Sequence, residues 1–185
     1  MKKNKCETKI RIPRTWKYGI CHLGCGNKKI VGAIGVDIVD LPSVDVVFDL
    51  NKKDWPFEDN SFDEVHAYHV LEHLNDTINS MSEIWRITKP GGVVYINVPH
   101  FSSPNAFVDP SHKSFFALDT LSYFTDKNDL NFYSRARFNI SKKLKFENPL
   151  GNYIFNLPKL NYFWEKHLSR IIPAKEIKYL FRVIK

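Results

Sequence analysis

The chain has 185 residues, 43% of them apolar and 25% charged, with 27 Lys+Arg against 20 Asp+Glu and a formal charge of +7. That length fits one domain with a core of its own, and the composition excludes disorder, collagen-like repeats and a cysteine-stapled scaffold. No apolar run approaches the roughly 20 residues that cross a bilayer, and Met1-Lys2-Lys3-Asn4-Lys5 leads into no signal-peptide core, so a cytoplasmic location is expected.

The charge is unevenly spread. Residues 1–17 carry seven Lys/Arg against Glu7, residues 18–134 eight basic against sixteen acidic side chains, and residues 135–185 twelve basic against three acidic. An acidic middle between basic flanks is not the pattern of a uniformly basic nucleic-acid binder. Each flank either attracts a polyanion or an anionic membrane surface or is merely solvated. Cys6, Cys21 and Cys25 are odd in number and lack a second pair for zinc, so they read as reduced thiols.

In chain order, the basic leader is followed by Tyr18-Gly19-Ile20-Cys21-His22-Leu23, a short buried strand that ends in Gly24-Cys25-Gly26. Apolar runs at 33–39 and 44–50 predict a second and third strand, and Trp55-Pro56-Phe57 breaks any helix in the polar stretch that follows. A fourth strand begins over Phe62–His69. Asn75 or Asp76 then caps a helix whose Ile78, Met81, Ile84, Trp85 and Thr88 fall at helical spacing. Lys89-Pro90-Gly91-Gly92 stops it, and Val93–Val98 is a fifth strand. Strand, glycine turn, strand, helix, strand argues for an α/β fold with a largely parallel sheet.

Beyond Pro99 the pattern weakens. Residues 100–117 read as a loop rich in His, Ser and Pro, 119–130 as helical, and Arg135–Phe146 as a strand with Ala136, Phe138, Ile140 and Leu144 on one parity. Leu157, Leu160, Phe163, Trp164, His167, Leu168 and Ile171 lie at helical spacing, Pro173 closes that segment, and 177–184 is a last strand. A hairpin-like pair at the end makes the sheet mixed.

The strongest chemical signal is Leu23-Gly24-Cys25-Gly26-Asn27 at the end of the first strand. Glycines there let the backbone approach a ligand and take positive φ. Asp37, at the end of the next strand, is placed to accept hydrogen bonds from ribose hydroxyls. Lys29 stands where a dinucleotide fingerprint needs its third glycine, which disfavours NAD and FAD.

Five segments in order carry a resemblance: Leu23-Gly24-Cys25-Gly26; Gly35-Val36-Asp37; Trp55 to Asp63 (Trp-Pro-Phe-Glu-Asp-Asn-Ser-Phe-Asp); His69-Val70-Leu71-Glu72-His73-Leu74; and Glu83 to Gly92. Over residues 18–100 the chain resembles class I S-adenosylmethionine-dependent methyltransferases of the type-11 methyltransferase-domain family. The resemblance implies a Rossmann-like, mostly parallel seven-stranded sheet with an antiparallel last strand. It implies S-adenosylmethionine as cofactor, held by Gly24, Cys25, Gly26, Asp37, Ile38, Asp49, Leu50 and His69. In that assignment the glycines pass the methionine part, Asp37 holds the ribose, Ile38 packs on the adenine, and Asp49 and Leu50 meet its edge. His69 then sits beside the cofactor near the mouth of the substrate site. The division expected is a leader (1–17), a cofactor-binding half (18–100) and a substrate-side part (101–185) of one methyltransferase domain spanning 18–185.

Only eight residues, Cys25–Gly32, join the first two strands, and about four join the next two, whereas a parallel crossover takes a dozen or more. The helices usual there are reduced to turns, leaving one sheet face thinly covered. The 157–172 helix, a second copy or a partner subunit is expected over it. His69-Val70-Leu71-Glu72-His73 also spells H-x-x-E-H, an inverted zinc-protease pattern. Zinc would need both histidines on one helical face and a third ligand downstream. The segment instead runs from a strand end into a loop and the surrounding motifs explain it, so no metal is expected, and Glu72 and His73 read as capping or orienting the next helix.

An acceptor that must lose a proton needs a base, and the candidates are His112 and Asp109 in Asp109-Pro110-Ser111-His112-Lys113, with His100. They lie after the fifth strand, on the side where α/β folds bind ligands. The aromatics Tyr153, Phe155, Tyr162, Phe163 and Trp164 mix with Lys159, Lys166 and Arg170. Packing of the apolar side on the sheet is the preferred reading, ahead of a membrane surface or nucleic acid. The expected function is methyl transfer to a small molecule or a sugar or lipid intermediate, preferred over RNA. The alternative is a non-catalytic subunit that keeps the fold without the chemistry.

Overall fold

The computed structural model describes residues 8–11, 19–157 and 159–185; Cys6, Tyr18 and most of the basic leader lie outside them. Strands β1 (Lys9–Ile10), β2 (Ile20–Leu23), β3 (Ala33–Asp37), β4 (Val46–Val47), β5 (Phe62–Tyr68), β6 (Thr88–Pro99), β7 (Arg137–Lys145) and β8 (Glu176–Ile184) form one sheet. Its order is β1-β4-β3-β2-β5-β6-β8-β7. β4, β3, β2, β5 and β6 are parallel to one another, and β8 runs antiparallel between β6 and β7. This is the mixed sheet expected, with an antiparallel last strand and one strand more. The extra strand comes from the leader, where Lys9 and Ile10 pair antiparallel with Val47 and Val46. Lys9 and Arg11 both bond the carboxylate of Asp40, and Arg11 Nη1 donates to the Val44 carbonyl at 3.1 Å.

The connections at 24–32 and 38–45 contain no helix, so the early crossovers are turns. The third strand is shorter than its apolar run, because only Val46 and Val47 pair with β3. Helix α1 (Thr77–Ile87) starts at Asp76, whose Oδ1 accepts the Asn79 N–H at 2.9 Å, and it buries Met81, Ile84 and Ile87. Glu72 and His73 do not cap it; they sit in a 3-10 turn, Leu71–His73, ahead of the capping residue. Strand β6 begins at Thr88, five residues before the predicted start, because Thr88 pairs with Phe62 across a bulge.

Two of the resembling segments clip together around α1. Glu83 accepts the Trp55 N–H at 2.8 Å and two bonds from Arg86, at 2.9 and 2.8 Å. Arg86 also donates to the Phe57 and Trp55 carbonyls at 2.7 and 3.0 Å and to Asp59 at 2.8 Å. Trp55 and Phe57 are thereby held in the core.

The 100–117 loop contains a short helix α2 (Asn105–Val108), and within 119–130 the helical part is a 3-10 turn, Thr120–Phe124. Helix α3 (Pro149–Ile154) was not foreseen, although Asn148 caps it and Pro149 opens it. The side-chain amides of Asn152 and Asn156 each bond a main-chain N–H and C=O of the β7 end, at Phe146 and Leu144. Helix α4 is Leu160–His167.

The core lies on one face of the sheet. Val65 and Ala67 of β5 point into it with Met81 and Ile84 of α1 and Trp164 of α4. The 157–172 segment therefore packs on the α1 side and does not cover the opposite face. Trp164, Phe155 and Leu168 make the packing, while Tyr153 and Phe163 stay exposed. The opposite face is not the bare apolar surface expected: alternation along the strands puts His22, His66, Tyr68 and Tyr95 there. His66 stacks on Tyr95 with ring centroids 4.7 Å apart. Among the described residues, no helix is long and apolar enough to cross a membrane.

Candidate functional site

The site forms where the parallel strands end. The chain leaves β2 at Gly24 with φ +59°, and a Cβ there would lie 2.3 Å from Val70 Cγ2. Only glycine fits that approach. The next turn orients the first acid: Gly26 N–H donates to Asp37 Oδ2 at 2.9 Å, and Val39 N–H donates to Oδ1 at 3.0 Å. A cavity of about 380 Å³ opens in front, lined by Gly24, Asp37, Ile38, Asp49, Leu50 and His69 together with Phe48, Val70 and Leu74. Six of the eight residues assigned to the cofactor thus meet around one space. Cys25 and Gly26 do not line it. The Cys25 side chain turns away to pack with Val44 and Val47, and burial pushes its thiol up to about 11.

His69 follows β5 directly with φ +56°, an uncommon conformation for a residue with a side chain. Its Nε2 lies 3.2 Å from Glu176 Oε2 and its Nδ1 3.3 Å from Glu72 Oε1. The hydrogen bond to Glu176, with the Glu72 carboxylate beside the ring, raises the imidazole to about 9. Bonding to His69, and to Lys145 at 3.0 Å, holds Glu176 down at about 2.

A second cavity, of about 370 Å³, shares His69 and His73 with the first. Asp109, His112, Glu72, Lys175 and Glu176 line it. The loop 109–113 serves both spaces: Ser111 and Lys113 line the first, Asp109 and His112 the second. Asp109 Oδ1 accepts from Ser111 N–H and Oγ at 2.8 and 2.6 Å, and these bonds hold its carboxyl below the usual range. His112 Nδ1 donates to the Ala106 carbonyl at 2.9 Å.

His100 is elsewhere. It is fully buried, bonds Glu165 at 2.9 Å and Ser102 at 2.7 Å, and packs against Phe101 and Trp164. It lines neither cavity and its contacts are those of a packing residue. Sequence reasoning missed Glu176, Lys113 and Lys175. Glu176 had one signal, as one of three acids in the basic last third; the two lysines had none.

Residues 33–96 match the family described as "Methyltransferase domain". The match begins after the glycine turn at 24–26, which lies outside it. A 39-residue stretch is 51% identical to an uncharacterized methyltransferase of Schizosaccharomyces pombe, covering 21% of this chain and 14% of that protein. The chain spans less than a fifth of the length of the curated relatives it matches. Among solved structures, it is similar to a SAM dependent methyltransferase from Archaeoglobus fulgidus, with TM-score 0.63 and 18% identity over 90% of this chain and 86% of that one. It is also similar to the Haloferax volcanii complex between the Trm112 methyltransferase activator and a methyltransferase, with TM-score 0.57 and 16% identity over 91% and 84%. By its sheet the chain has the fold of the S-adenosylmethionine-dependent methyltransferases to which it is similar, and its residues 33–96 match the methyltransferase-domain family.

Proposed function

We propose that this protein transfers a methyl group from S-adenosylmethionine to a small acceptor, a metabolite or a sugar or lipid intermediate. The observation that carries the reading is the convergence of Gly24, Asp37, Ile38, Asp49, Leu50 and His69 on one cavity at the strand ends. Its residues suit the cofactor: an oriented carboxylate for two hydroxyls, apolar walls for a flat ring, and a glycine where the chain must pass close. When bound, the cofactor supplies an activated methyl group on its sulfonium, so the chain's task is mainly alignment. Asp37 accepts the ribose hydroxyls, with Gly26 and Val39 fixing its direction. Ile38 packs on the adenine, and Asp49 and Leu50 meet its edge. His69 stands in the wall between the two cavities, and His112 and Asp109 face the acceptor in the second. A partner subunit belongs to the same reading, supported by the activator bound in the Haloferax complex.

Calorimetric titration with S-adenosylmethionine tests it. Binding at micromolar concentrations is expected, with Asp37→Ala weakening it about 10- to 100-fold, the worth of hydrogen bonds to a charged group. No binding by the wild-type chain would overturn the reading, and equal affinity in the variant would remove Asp37 from it.

A further inference from the structure

We infer that Glu72, His73 and His112 form a binding site for one divalent first-row metal ion, facing the second cavity. The three residues each offer a donor atom, all within 4.8 Å of one another. They come from two segments far apart in sequence, the 3-10 turn after β5 and the loop after α2. Two of them, Glu72 and His73, belong to the H-x-x-E-H segment and His112 is the third, while His69 of that segment pairs with Glu176 instead.

A second observation points to a ligand. Glu72 is 1% exposed, and among the described residues neither of its carboxylate oxygens receives a hydrogen bond. Its one ionic contact among the described residues is His69 Nδ1, 3.3 Å from Oε1. A carboxylate removed from water is costly unless paired and fully bonded, or coordinated to a metal. Glu72 lines the cavity alongside His73 and His112, so its unused lone pairs face the cluster.

The histidines are also prepared as ligands. His112 Nδ1 faces the Ala106 carbonyl at 2.9 Å; a carbonyl only accepts, so this nitrogen carries the proton and Nε2 keeps its lone pair. His73 Nδ1 lies 2.9 Å from Ser111 Oγ, and that hydroxyl donates to Asp109 Oδ1 at 2.6 Å. The hydroxyl proton is committed to Asp109, so His73 Nδ1 donates and its Nε2 is likewise bare. Such outer bonds orient metal-binding imidazoles and fix their tautomer. Ligands held at 2.0–2.2 Å from one ion stand roughly 3–3.5 Å apart. The donors, within 4.8 Å of one another, must close to that spacing, and both rings are half-buried.

Two imidazoles and one carboxylate suit Zn²⁺, Mn²⁺ or Fe²⁺ better than Mg²⁺ or Ca²⁺, and leave open positions on the ion. On the methyl-transfer reading above, those positions take a hydroxyl of the acceptor, which makes the substrate class an oxygen acceptor. Coordination lowers the hydroxyl pKa, and its proton passes to water. The oxygen then forms the new bond to the methyl carbon while the carbon–sulfur bond breaks, its electron pair staying on sulfur to leave a neutral thioether. His112 is in this account a ligand of the ion.

The chelator-treated chain is titrated with Zn²⁺ by calorimetry and with Mn²⁺ by electron paramagnetic resonance. One ion per chain is expected, with Glu72→Gln and His112→Ala each weakening binding at least tenfold. His112 is in a loop, so its variant folds even if Glu72→Gln does not, and circular dichroism checks both. No ion bound by the wild type, or equal affinity in the folded variants, would overturn the site. Acetohydroxamate, a small oxygen chelator, is expected to change the spectrum of bound Mn²⁺; no change would overturn the acceptor class. Cofactor calorimetry on the same sample separates the two readings. Cofactor binding without an ion sinks only the metal site, and ion binding without the cofactor sinks only the methyl-transfer reading.

Discussion

Gly24 ties backbone conformation to the cavity at the scale of one residue. Its positive φ and the Val70 methyl in its Cβ position act together, so Gly24→Ala strains the turn and narrows the first cavity at once. We expect a loss of roughly 1–3 kcal/mol in urea unfolding, with weaker cofactor binding; Val70→Ala in the same chain should restore part of both. A stability change below about 0.5 kcal/mol would place the variant among ordinary surface substitutions and sink the argument. Gly24 and Asp37 were legible in the sequence because a strand end, a glycine and an acid at fixed spacing leave few alternatives. His100 was not. Its imidazole is as plausible a base as His112 on paper, and only the arrival of Trp164 and Glu165 from the far end of the chain turns it into core. The donor set at 72, 73 and 112 was half visible, since its third member is joined to the others only by folding.

Helix α1 is more than an amphipathic rod on the sheet. Arg86 crosses from it to Trp55, Phe57 and Asp59 while holding Glu83, whose carboxylate is nearly buried. Arg86→Ala leaves that charge without its counter-ion and frees two carbonyls, and removing one partner of a buried pair costs about 3–5 kcal/mol. Arg86 is itself partly exposed, so we expect about 3 kcal/mol in denaturant unfolding; a loss under about 1 kcal/mol would show that solvent satisfies Glu83. The strands β5 and β6 and the helix between them were readable because their periods are long and their stops strong. Strand β4 was overread, since an apolar run also serves a segment that leaves the sheet to line a cavity, as Phe48 and Leu50 do. Helix α3 was passed over although cap and proline were both in place, because six residues are too few to show a helical period.

Over the whole molecule, the sheet face opposite α1 sets a pH dependence. Burial, with His66 nearby, lowers His22 from 6.5 to about 4. The unfolded chain therefore binds more protons than the folded one between those values. Stability contributed by neutral His22 is complete above about pH 6.5 and is lost as the pH falls toward 4, at about 1.4 kcal/mol per pH unit. His66 is lowered in the same direction. His69, held charged, titrates above this window. Since His22 Nδ1 accepts the Ile30 N–H at 3.2 Å, His22→Asn keeps an acceptor and should flatten the stability profile from pH 6.5 to 4. An unchanged slope would show that His22 takes up its proton in the folded state.

The treatment of the sheet's two borders has a further consequence. On one side β1 lies along β4; on the other, the amides of Asn152 and Asn156 occupy main-chain groups at the end of β7, whose outer stretch carries Lys142, Lys143 and Lys145. Free strand borders are templates for runaway association, and lysines or an added cover blunt them. The β1 cover is two residues long and leans on Lys9 and Arg11 against Asp40, contacts that salt screens. Concentrated salt thus lifts the guard from β4 first, and aggregates formed under those conditions should grow from that border.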